Sequence, residues 1–482
     1  MDRSDYFYRC FLTAFRYEPT QCQEKLFKAV ADFLTSDDND ILVVNGYAGT
    51  GKTSAVSSVI SVLGKMKIMS VLLAPTGRAA KVLSVYAGRP AYTIHKHIYR
   101  QKSVGDNGYG QFSLAPNKSR DALFVVDEVS LIGNDSGHNN PSLSFGTGNL
   151  LNDLVSFVRN GPGCKLILMG DSAQLPPVGL DCSPALSPDY MDGVGGVARV
   201  ELTTVVRQRK ESGILANATS LRGMISSATS GDTCFNVNDL SIRTMGYDDV
   251  VSIKGGEFVE TLSDAYGKYG EEGTIVLCRS NKRANRYNAG IRAAVQYKEE
   301  RLVRDDRLMI VKNCYQFLED VKGLDYIANG DMAKLVRIND YEDRYGLHFA
   351  EAELSFPDYE DQEIKAKVIL DTLESESASL TYEQQEMLYN GVSADYSQLK
   401  TKKKRYDAVR EDPYYNALQL KYANAITCHK SQGGQWKCVF IDNPFWNEEL
   451  TVDDLKWLYT AFTRTVEKVY LINFKDEYFM KP

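Results

Sequence analysis

The chain has 482 residues, which at about 150 residues per domain predicts about three domains. Hydrophobic residues make up 43% and charged residues 25%, close to the averages of globular proteins, and this excludes a disordered, collagenous or coiled-coil chain. The net charge of −7 argues against a surface coated in basic charge. It still permits a local nucleic-acid channel, because steering depends on local rather than summed charge.

Neither a membrane-spanning segment nor a secretory signal is expected. No run of about 18 apolar residues occurs, and charged residues interrupt the first turns of the N-terminal segment. The nine cysteines are scattered without a C-x-x-C pair, so we expect neither a disulfide framework nor a zinc site. These features favour a cytoplasmic protein without a membrane partner.

Short apolar runs alternate with helix-like stretches along the first half of the chain. The runs predicted as strands are residues 41–45, 71–74, 123–126 and 165–169. The stretches predicted as helices are residues 53–63, 78–87 and 150–158. Continuous apolar strands separated by helices predict an α/β fold with a parallel sheet covered on both faces.

The same alternation returns in the second half and is interrupted there. Residues 274–278, 438–442 and 468–473 are predicted as strands, and residues 281–295 and 452–463 as helices. Roughly residues 330–421 interrupt this pattern with three β-like runs, 333–338, 348–354 and 363–370. We interpret the interruption as a small inserted β-rich domain. Its basic run, residues 400–405, is either a solvated face or a contact to nucleic-acid phosphates.

A phosphate-binding loop follows the first predicted strand. The motif G-x-x-x-x-G-K-[ST] is matched by Gly46-Tyr47-Ala48-Gly49-Thr50-Gly51-Lys52-Thr53, between a strand and a helix. The glycines let backbone N–H groups approach the phosphates, and Lys52 reaches the β- and γ-phosphates. The Thr53 hydroxyl is the expected ligand of Mg²⁺. The sequence therefore predicts a site for ATP and Mg²⁺.

Two later strands end in polar residues that suit the same site. Asp127 and Glu128 follow an apolar strand; Asp127 is expected to complete the Mg²⁺ shell and Glu128 to act as general base towards the attacking water. Gln174 follows the next strand, where an amide can sense the γ-phosphate. Alone, the acids could be surface residues and the Gln174 segment a turn ended by proline, but their order after the loop favours a catalytic reading.

These segments together resemble superfamily 1 helicases, and further motifs extend the resemblance over most of the chain. The segments similar to motifs Ia, Ib, IV, V and VI of that superfamily are residues 74–80, 93–96, 202–208, 425–433 and 459–464, in that order. A weaker match at residues 20–23 resembles the adenine-side glutamine motif and contributes Gln23. Within the superfamily, the hairpin-like segment near residues 103–112 and the β-rich insert resemble the 1B branch of RecD-like and Dda-like helicases.

The resemblance implies two RecA-like parallel-sheet domains, a hairpin insert and an SH3-like barrel. The implied boundaries are residues 1–205 for the first RecA-like domain, 98–120 for the hairpin that serves as wedge, 206–330 with 421–482 for the second RecA-like domain, and 331–420 for the barrel. It implies that Gly433 contacts the nucleotide and that Arg207 and Arg464 stabilise the transition state. It also implies a set of single-stranded DNA contacts: Pro75, Thr76, Arg78, His95, Thr427, His429 and Lys430.

The expected function is an ATP-dependent DNA helicase that acts as a monomer on single-stranded DNA and on junctions of single and double strands. Movement from 5′ to 3′ is implied by the 1B resemblance alone. Two other readings stay open: a translocase subunit of a larger nuclease or repair complex, and an RNA helicase of the same superfamily. A GTPase-like switch is disfavoured, because residues 281–284 lack the acid of the guanine-reading N-K-x-D motif.

Overall fold

The computed structural model describes most of the chain in two compact units. The first unit comprises Met1–Thr233 and Thr451–Thr463, and the second comprises Cys234–Leu450 and Arg464–Pro482. Within these ranges the described residues are 2–104, 110–133, 144–205, 212–228, 234–236, 239–314, 316–318, 326–359, 361–446 and 449–480. No helix among them is both long and apolar enough to cross a membrane.

Thirteen α-helices are assigned within the described ranges. Several begin at a residue whose side chain accepts a hydrogen bond from the first turn, as Thr20, Thr76 and Ser280 do. The helices are α1 (Arg3–Ala14), α2 (Gln21–Thr35), α3 (Lys52–Lys65), α4 (Gly77–Ala87), α5 (Ile94–Ile98), α6 (Leu150–Arg159), α7 (Pro188–Val194), α8 (Gly213–Ala228), α9 (Phe258–Tyr269), α10 (Asn281–Ala294), α11 (Tyr382–Asp395), α12 (Lys402–Glu411) and α13 (Val452–Thr463).

The strands form two parallel sheets, a closed barrel and smaller antiparallel or mixed pairings. They are β1 (Ile41–Gly46), β2 (Ser70–Ala74), β3 (Ala91–Thr93), β4 (Tyr99–Val104), β5 (Gly110–Leu114), β6 (Leu123–Val126), β7 (Ser144–Phe145), β8 (Lys165–Gly170), β9 (Val197–Leu202), β10 (Cys234–Asn236), β11 (Val250–Ile253), β12 (Thr274–Cys278), β13 (Arg307–Ile310), β14 (Met332–Arg344), β15 (Leu347–Phe356), β16 (Gln362–Ile369), β17 (Leu418–Tyr422), β18 (Ala425–Thr427), β19 (Trp436–Asp442), β20 (Glu449–Thr451) and β21 (Thr465–Ile472).

The first unit is built on a six-stranded parallel sheet in the order β3-β2-β6-β8-β1-β9. Successive residues of β1 point to opposite faces, as strand geometry requires. Leu42 and Val44 pack into the core beneath α1, α2 and α3, whereas Ile41 and Val43 pack into the core that contains α5 and α6. Because both faces are buried, the strands read as continuous apolar runs, and the predicted parallel sheet is confirmed.

The second unit contains a five-stranded parallel sheet in the order β11-β21-β19-β12-β18 and a closed barrel of β13 to β17. The barrel core is aliphatic and aromatic, with Leu308, Leu354 and Phe356 fully enclosed. The three β-like runs of the predicted insert are its strands β14, β15 and β16. The fold class with two parallel sheets, a hairpin and an inserted β-barrel is therefore confirmed.

The boundaries of the two units differ from the domain boundaries that the resemblance implied. Helices α8 and α13, which the sequence reading placed in the second RecA-like domain, cluster with the first unit. Strand β13, which precedes the predicted insert, closes the barrel by pairing with both β14 and β17. A barrel needs both of its terminal strands to pair, so closure recruits a strand from outside the β-rich stretch.

The hairpin predicted near residues 103–112 is present as the antiparallel pair β4 and β5. Val104 pairs with Gly110, and residues 105–109 between them lie outside the described residues. A short third strand, β7, pairs in parallel with β5. The strands of the predicted wedge are thus described and its tip is not.

A buried ion pair stabilises the second unit beside the barrel. The Arg292 guanidinium donates two hydrogen bonds of 3.0 Å to the Asp306 carboxylate, and both side chains are almost fully buried. Lys298 Nζ and the Val303 N–H donate to the same carboxylate at 3.1 and 2.8 Å. Asp306 therefore offsets the buried charge of Arg292, and its loss leaves that charge uncompensated.

We expect Asp306→Asn to lower the free energy of unfolding by about 3 kcal/mol, because it leaves a buried guanidinium without its counter-charge. The neighbouring Asp305→Asn is the matched control, since the Asp305–Lys334 pair is largely exposed and such pairs contribute less than about 1 kcal/mol. Urea titration of the full chain followed by circular dichroism measures both. Equal effects of the two substitutions would contradict the role of Asp306 as the counter-charge of Arg292.

Candidate nucleotide site

The phosphate-binding loop joins β1 to α3 at the carboxyl edge of the first sheet. Gly49 and Gly51 have φ values of +80° and +76°, a conformation that side chains disfavour. A Cβ on Gly51 would also lie 2.8 Å from Nε2 of Gln23. Helix α3 begins at Lys52, and its first N–H groups follow a glycine that has no side chain to cap them. A helix N-terminus of this kind binds phosphate through its backbone N–H groups and its dipole.

Lys52 places its ammonium group at the mouth of this loop. Its Nζ donates hydrogen bonds to the carbonyl oxygens of Gly46, at 2.5 Å, and Tyr47, at 3.0 Å. Burial lowers the pKa of Lys52, and the nearby carboxylates of Asp171 and Glu128 oppose that shift. A partly buried ammonium whose hydrogen bonds go to neutral carbonyls is suited to an anionic partner such as a phosphate.

Thr53 and Asp127 are brought together as the sequence predicted. The Thr53 hydroxyl donates a 2.9 Å hydrogen bond to Oδ2 of Asp127, and Oδ1 of Asp127 accepts from the Glu128 N–H at 2.9 Å. Burial raises the pKa of the Asp127 carboxyl, while the Glu128 N–H and the charge of Lys52 oppose that rise. A hydroxyl and a carboxylate are ligands that Mg²⁺ accepts beside phosphate oxygens, so these residues fit the cation.

Glu128 and Gln174 lie in the segments that follow β6 and β8. Glu128 adopts φ +53°, a left-handed conformation that is uncommon outside glycine and that often marks functional sites. Gln174 is 5% exposed, and its Oε1 atom has no hydrogen-bond partner among the described residues. A buried acceptor of this kind is costly unless a donor arrives, so Gln174 is prepared to orient a water or a ligand.

Gln23 is positioned by a capping box at the start of α2. Its side-chain oxygen accepts from the Thr20 N–H at 3.0 Å, and the Thr20 hydroxyl accepts from the Gln23 N–H at 3.3 Å. Its Nε2 donates to the carbonyl of Thr50 at 3.0 Å, inside the phosphate-binding loop. The weak glutamine motif therefore lies against the loop, where the sequence reading expected a nucleotide contact.

Two residues without a predicted role tie the loop to other parts of the first unit. Oδ2 of Asp171, at the end of β8, accepts from the Ala48 N–H at 2.8 Å and from the Tyr459 hydroxyl at 2.7 Å. The Thr460 hydroxyl accepts from the Leu175 N–H at 2.9 Å. Tyr459 stands inside the segment similar to motif VI, and Asp171 lies three residues before Gln174, so the neighbourhood of predicted site residues was the available signal.

The two predicted arginines differ in what the structure describes. Arg464 is 4% exposed and belongs to the second unit, where its Nη1 donates to the carbonyl of Gly434 at 3.4 Å. Gly433 belongs to the same unit and has φ +78°. Arg207 lies outside the described residues. The transition-state roles of Arg207 and Arg464 and the nucleotide contact of Gly433 stay predictions.

The candidate contacts to single-stranded DNA in the first unit lie close together in sequence around β2, α4 and α5. Pro75, Thr76 and Arg78 are half-buried where β2 gives way to α4. The Thr76 hydroxyl accepts from the Ala79 N–H at 3.2 Å and so caps α4. His95 is half-buried in α5, and burial lowers its pKa, which favours the neutral ring. Thr76 is thus a helix cap, and a capping role is compatible with a strand contact.

The candidates of the second unit follow β18. Thr427 ends that strand, and His429 and Lys430 lie in the short turn of helix after it. Lys430 Nζ donates a 2.9 Å hydrogen bond to Oδ1 of Asn329, and burial lowers the pKa of Lys430. The contribution of both sets to one path of single-stranded DNA stays a prediction.

The fold and the loop geometry define a P-loop nucleotide-binding protein with two parallel-sheet units. Residues 21–230 match the family model described as an AAA domain, and residues 422–472 match the model of the UvrD-like helicase C-terminal domain. The chain therefore contains regions similar to an AAA domain and to a UvrD-like helicase C-terminal domain, in agreement with its resemblance to superfamily 1 helicases.

Two curated proteins to which the chain is similar are ATP-dependent DNA helicases. The ATP-dependent RecD2 DNA helicase of Deinococcus radiodurans is 30% identical over 181 residues, which are 38% of this chain and 21% of the relative. The ATP-dependent DNA helicase dda of Enterobacteria phage T4 is 27% identical over 161 residues, 33% of either chain. The chain thus matches between a fifth and a third of the length of these relatives.

Among solved structures, the Pif1 helicase from Bacteroides in complex with ADP-AlF3 and single-stranded DNA is 16% identical with a TM-score of 0.48. That alignment covers 97% of this chain and 95% of the other.

Proposed function

We propose that the chain is an ATP-dependent DNA helicase that moves along single-stranded DNA from 5′ to 3′ and unwinds duplex by ATP hydrolysis. The observation that carries this proposal is the meeting of Lys52, Thr53 and Asp127 at one edge of the first sheet. Chain segments that are far apart in sequence bring an ammonium, a hydroxyl and a carboxylate to one phosphate-binding loop. The match of residues 422–472 to a UvrD-like helicase C-terminal domain supports strand separation as the use of that site.

The roles at the nucleotide follow from the chemistry of the residues. Lys52 and the loop N–H groups bind the phosphates, and Thr53 with Asp127 would hold Mg²⁺, which supplies charge neutralisation to the phosphate oxygens. Glu128 accepts the proton of the attacking water, and Gln174 orients that water or the γ-phosphate. Arg207 and Arg464 add positive charge in the transition state.

The substrate contacts are proposed from residue type and position. Non-specific strand binding needs phosphate contacts and surfaces for stacking. Arg78 and Lys430 can supply the first kind, and Pro75, His95 and His429 the second. With Thr76 and Thr427 donating hydroxyl hydrogen bonds, these residues would bind single-stranded DNA up to its junction with the duplex, in a monomer.

Matched duplexes that carry either a 5′ or a 3′ single-stranded tail test the proposal. We expect ATP-dependent unwinding of the 5′-tailed DNA substrate and little unwinding of the 3′-tailed one. Preference for the 3′ tail would contradict the direction, and preference for RNA duplexes would support an RNA helicase. ATP-driven movement along DNA without unwinding of either duplex would instead support a translocase subunit.

We expect ATP hydrolysis to be slow without DNA and stimulated by single-stranded DNA, whose binding weakens as salt rises because condensed counterions are released. Each phosphate contact contributes about 0.7 to the slope of the logarithm of the binding constant against the logarithm of salt concentration, so Arg78→Gln should reduce that slope by about this amount. Arg16→Gln, an exposed arginine outside the candidate set, is the control. A slope that Arg78→Gln leaves unchanged would remove Arg78 from the strand contacts.

A further inference from the structure

Helix α8 carries a buried arginine to the phosphate-binding loop. The guanidinium of Arg222 lies over the ring of Tyr47, a residue of the loop, and its Nη1 lies 3.8 Å from Oδ1 of Asp171. Arg222 is 8% exposed, and all three residues belong to the first unit. The first unit thus supplies a second cation beside the loop, in addition to Lys52.

Two N–H-bearing atoms of Arg222 are left without a hydrogen bond by the described residues around it. Its Nε and Nη1 atoms are buried and have no hydrogen-bond partner within the described part of the chain. Asp171, its ion-pair partner, already accepts from Ala48 and Tyr459 through Oδ2 and from the Ala173 N–H through Oδ1, at 3.1 Å. A guanidinium is always charged, so these buried donors require an acceptor, and the side chains in the described ranges do not provide one.

The electrostatics identify that acceptor as an anion. The charge of Arg222 adds to burial in lowering the pKa of Lys52, so the two cations disfavour one another across the loop. Lys52 Nζ rests on the carbonyl of Tyr47, and Arg222 covers the ring of the same residue. The lysine of this motif reaches the β- and γ-phosphates. The contact of both cations with Tyr47 is the observation from which Arg222 is assigned to the same end of a bound triphosphate.

We propose that Arg222 binds the terminal phosphate of the nucleoside triphosphate through its free guanidinium N–H groups. The planar fork of donors matches phosphate oxygens, and the buried setting strengthens the interaction. This proposal rests on the proposed ATPase function and adds a phosphate ligand that no motif of the sequence supplied. It gives the first unit its own arginine for distinguishing a triphosphate from a diphosphate.

Binding of fluorescent ADP and of a non-hydrolysable triphosphate with an imido bridge between the β- and γ-phosphorus atoms tests this in the full chain with Mg²⁺. Arg222→Gln should weaken binding of the triphosphate by about tenfold or more, the value of a hydrogen bond to a charged group, and change that of ADP much less. Arg222→Lys keeps the charge but lacks the fork, so it should give an intermediate loss. Arg199→Gln, an exposed arginine paired with Asp192, is the matched control and should leave both affinities unchanged.

The ratio of the two affinities decides the outcome. A purely structural role of Arg222 would weaken both nucleotides equally or neither, and either result overturns the proposal. If Arg222→Gln does not fold, an unchanged ratio in Arg222→Lys overturns it as well. If the wild-type chain binds neither nucleotide, the proposed ATPase function itself is wrong, which is distinct from a failure of the Arg222 assignment.

Discussion

Glu128→Gln is expected to bind ATP almost as the wild-type chain does and to hydrolyse it about 10²- to 10⁴-fold more slowly, the range that a positioned general base contributes. The substitution replaces a carboxylate by an amide of the same shape, so the attacking water loses its proton acceptor. The Asp127–Thr53 hydrogen bond does not involve the Glu128 side chain and should persist. Nucleotide binding and steady-state hydrolysis, measured on the same preparation, separate the two effects.

Two further variants serve as controls for this result: Lys52→Ala is expected to lose activity, and Glu201→Gln is expected to keep it. Lys52→Ala removes the ammonium that faces the phosphates and should abolish hydrolysis together with tight binding. Glu201→Gln changes an exposed glutamate of β9 and should leave both activities unchanged. Hydrolysis by Glu128→Gln at the wild-type rate would show that Glu128 is not the general base. Another proton acceptor at the site would then have to take that role.

The second large effect is expected from the hairpin of β4 and β5. Movement along one strand needs the nucleotide site and the strand contacts, whereas separation of strands also needs an element that blocks the second strand. Replacing residues 105–109 by Asn-Gly joins Val104 to Gly110, which are already paired, through a favoured two-residue turn. The nucleotide site should be unaffected, because its residues lie in α2 and α3 and in the loops that follow β1, β6 and β8.

We therefore expect near-normal DNA-stimulated hydrolysis and at least about tenfold slower unwinding. Opening one base-pair step costs about 1.4 kcal/mol, and losing the element that stabilises the opened step changes the rate by about this factor. A variant with residues 105–109 changed to glycine and serine at constant length is the control for composition. Full retention of unwinding by the shortened chain would contradict the role of the hairpin as a wedge. The barrel would then be the next candidate for the element that separates the strands.

The sequence determined those parts of the site that are local in the chain. The loop between β1 and α3 depends on two glycines with positive φ and on a lysine at the first helical position, and all lie within eight consecutive residues. The meeting of Thr53 with Asp127 was also predictable, since the carboxyl ends of parallel strands share one edge of the sheet. The strands themselves were readable because burial on both faces makes them continuous apolar runs.

Only the tertiary structure decided which distant side chains complete the site. Asp171 meets the Ala48 N–H across 123 residues, and the Tyr459 hydroxyl meets the same carboxylate across 288. Arg222 contacts the ring of Tyr47 because α8 packs in the first unit. No motif quoted from the sequence lies in α8, so nothing there predicted a phosphate contact. Local patterns fix backbone conformation and burial, whereas contacts between distant helices and strands depend on how whole faces pack together. That packing determines which buried donors and acceptors are satisfied and which, like those of Arg222 and Gln174, have no hydrogen-bond partner among the described residues.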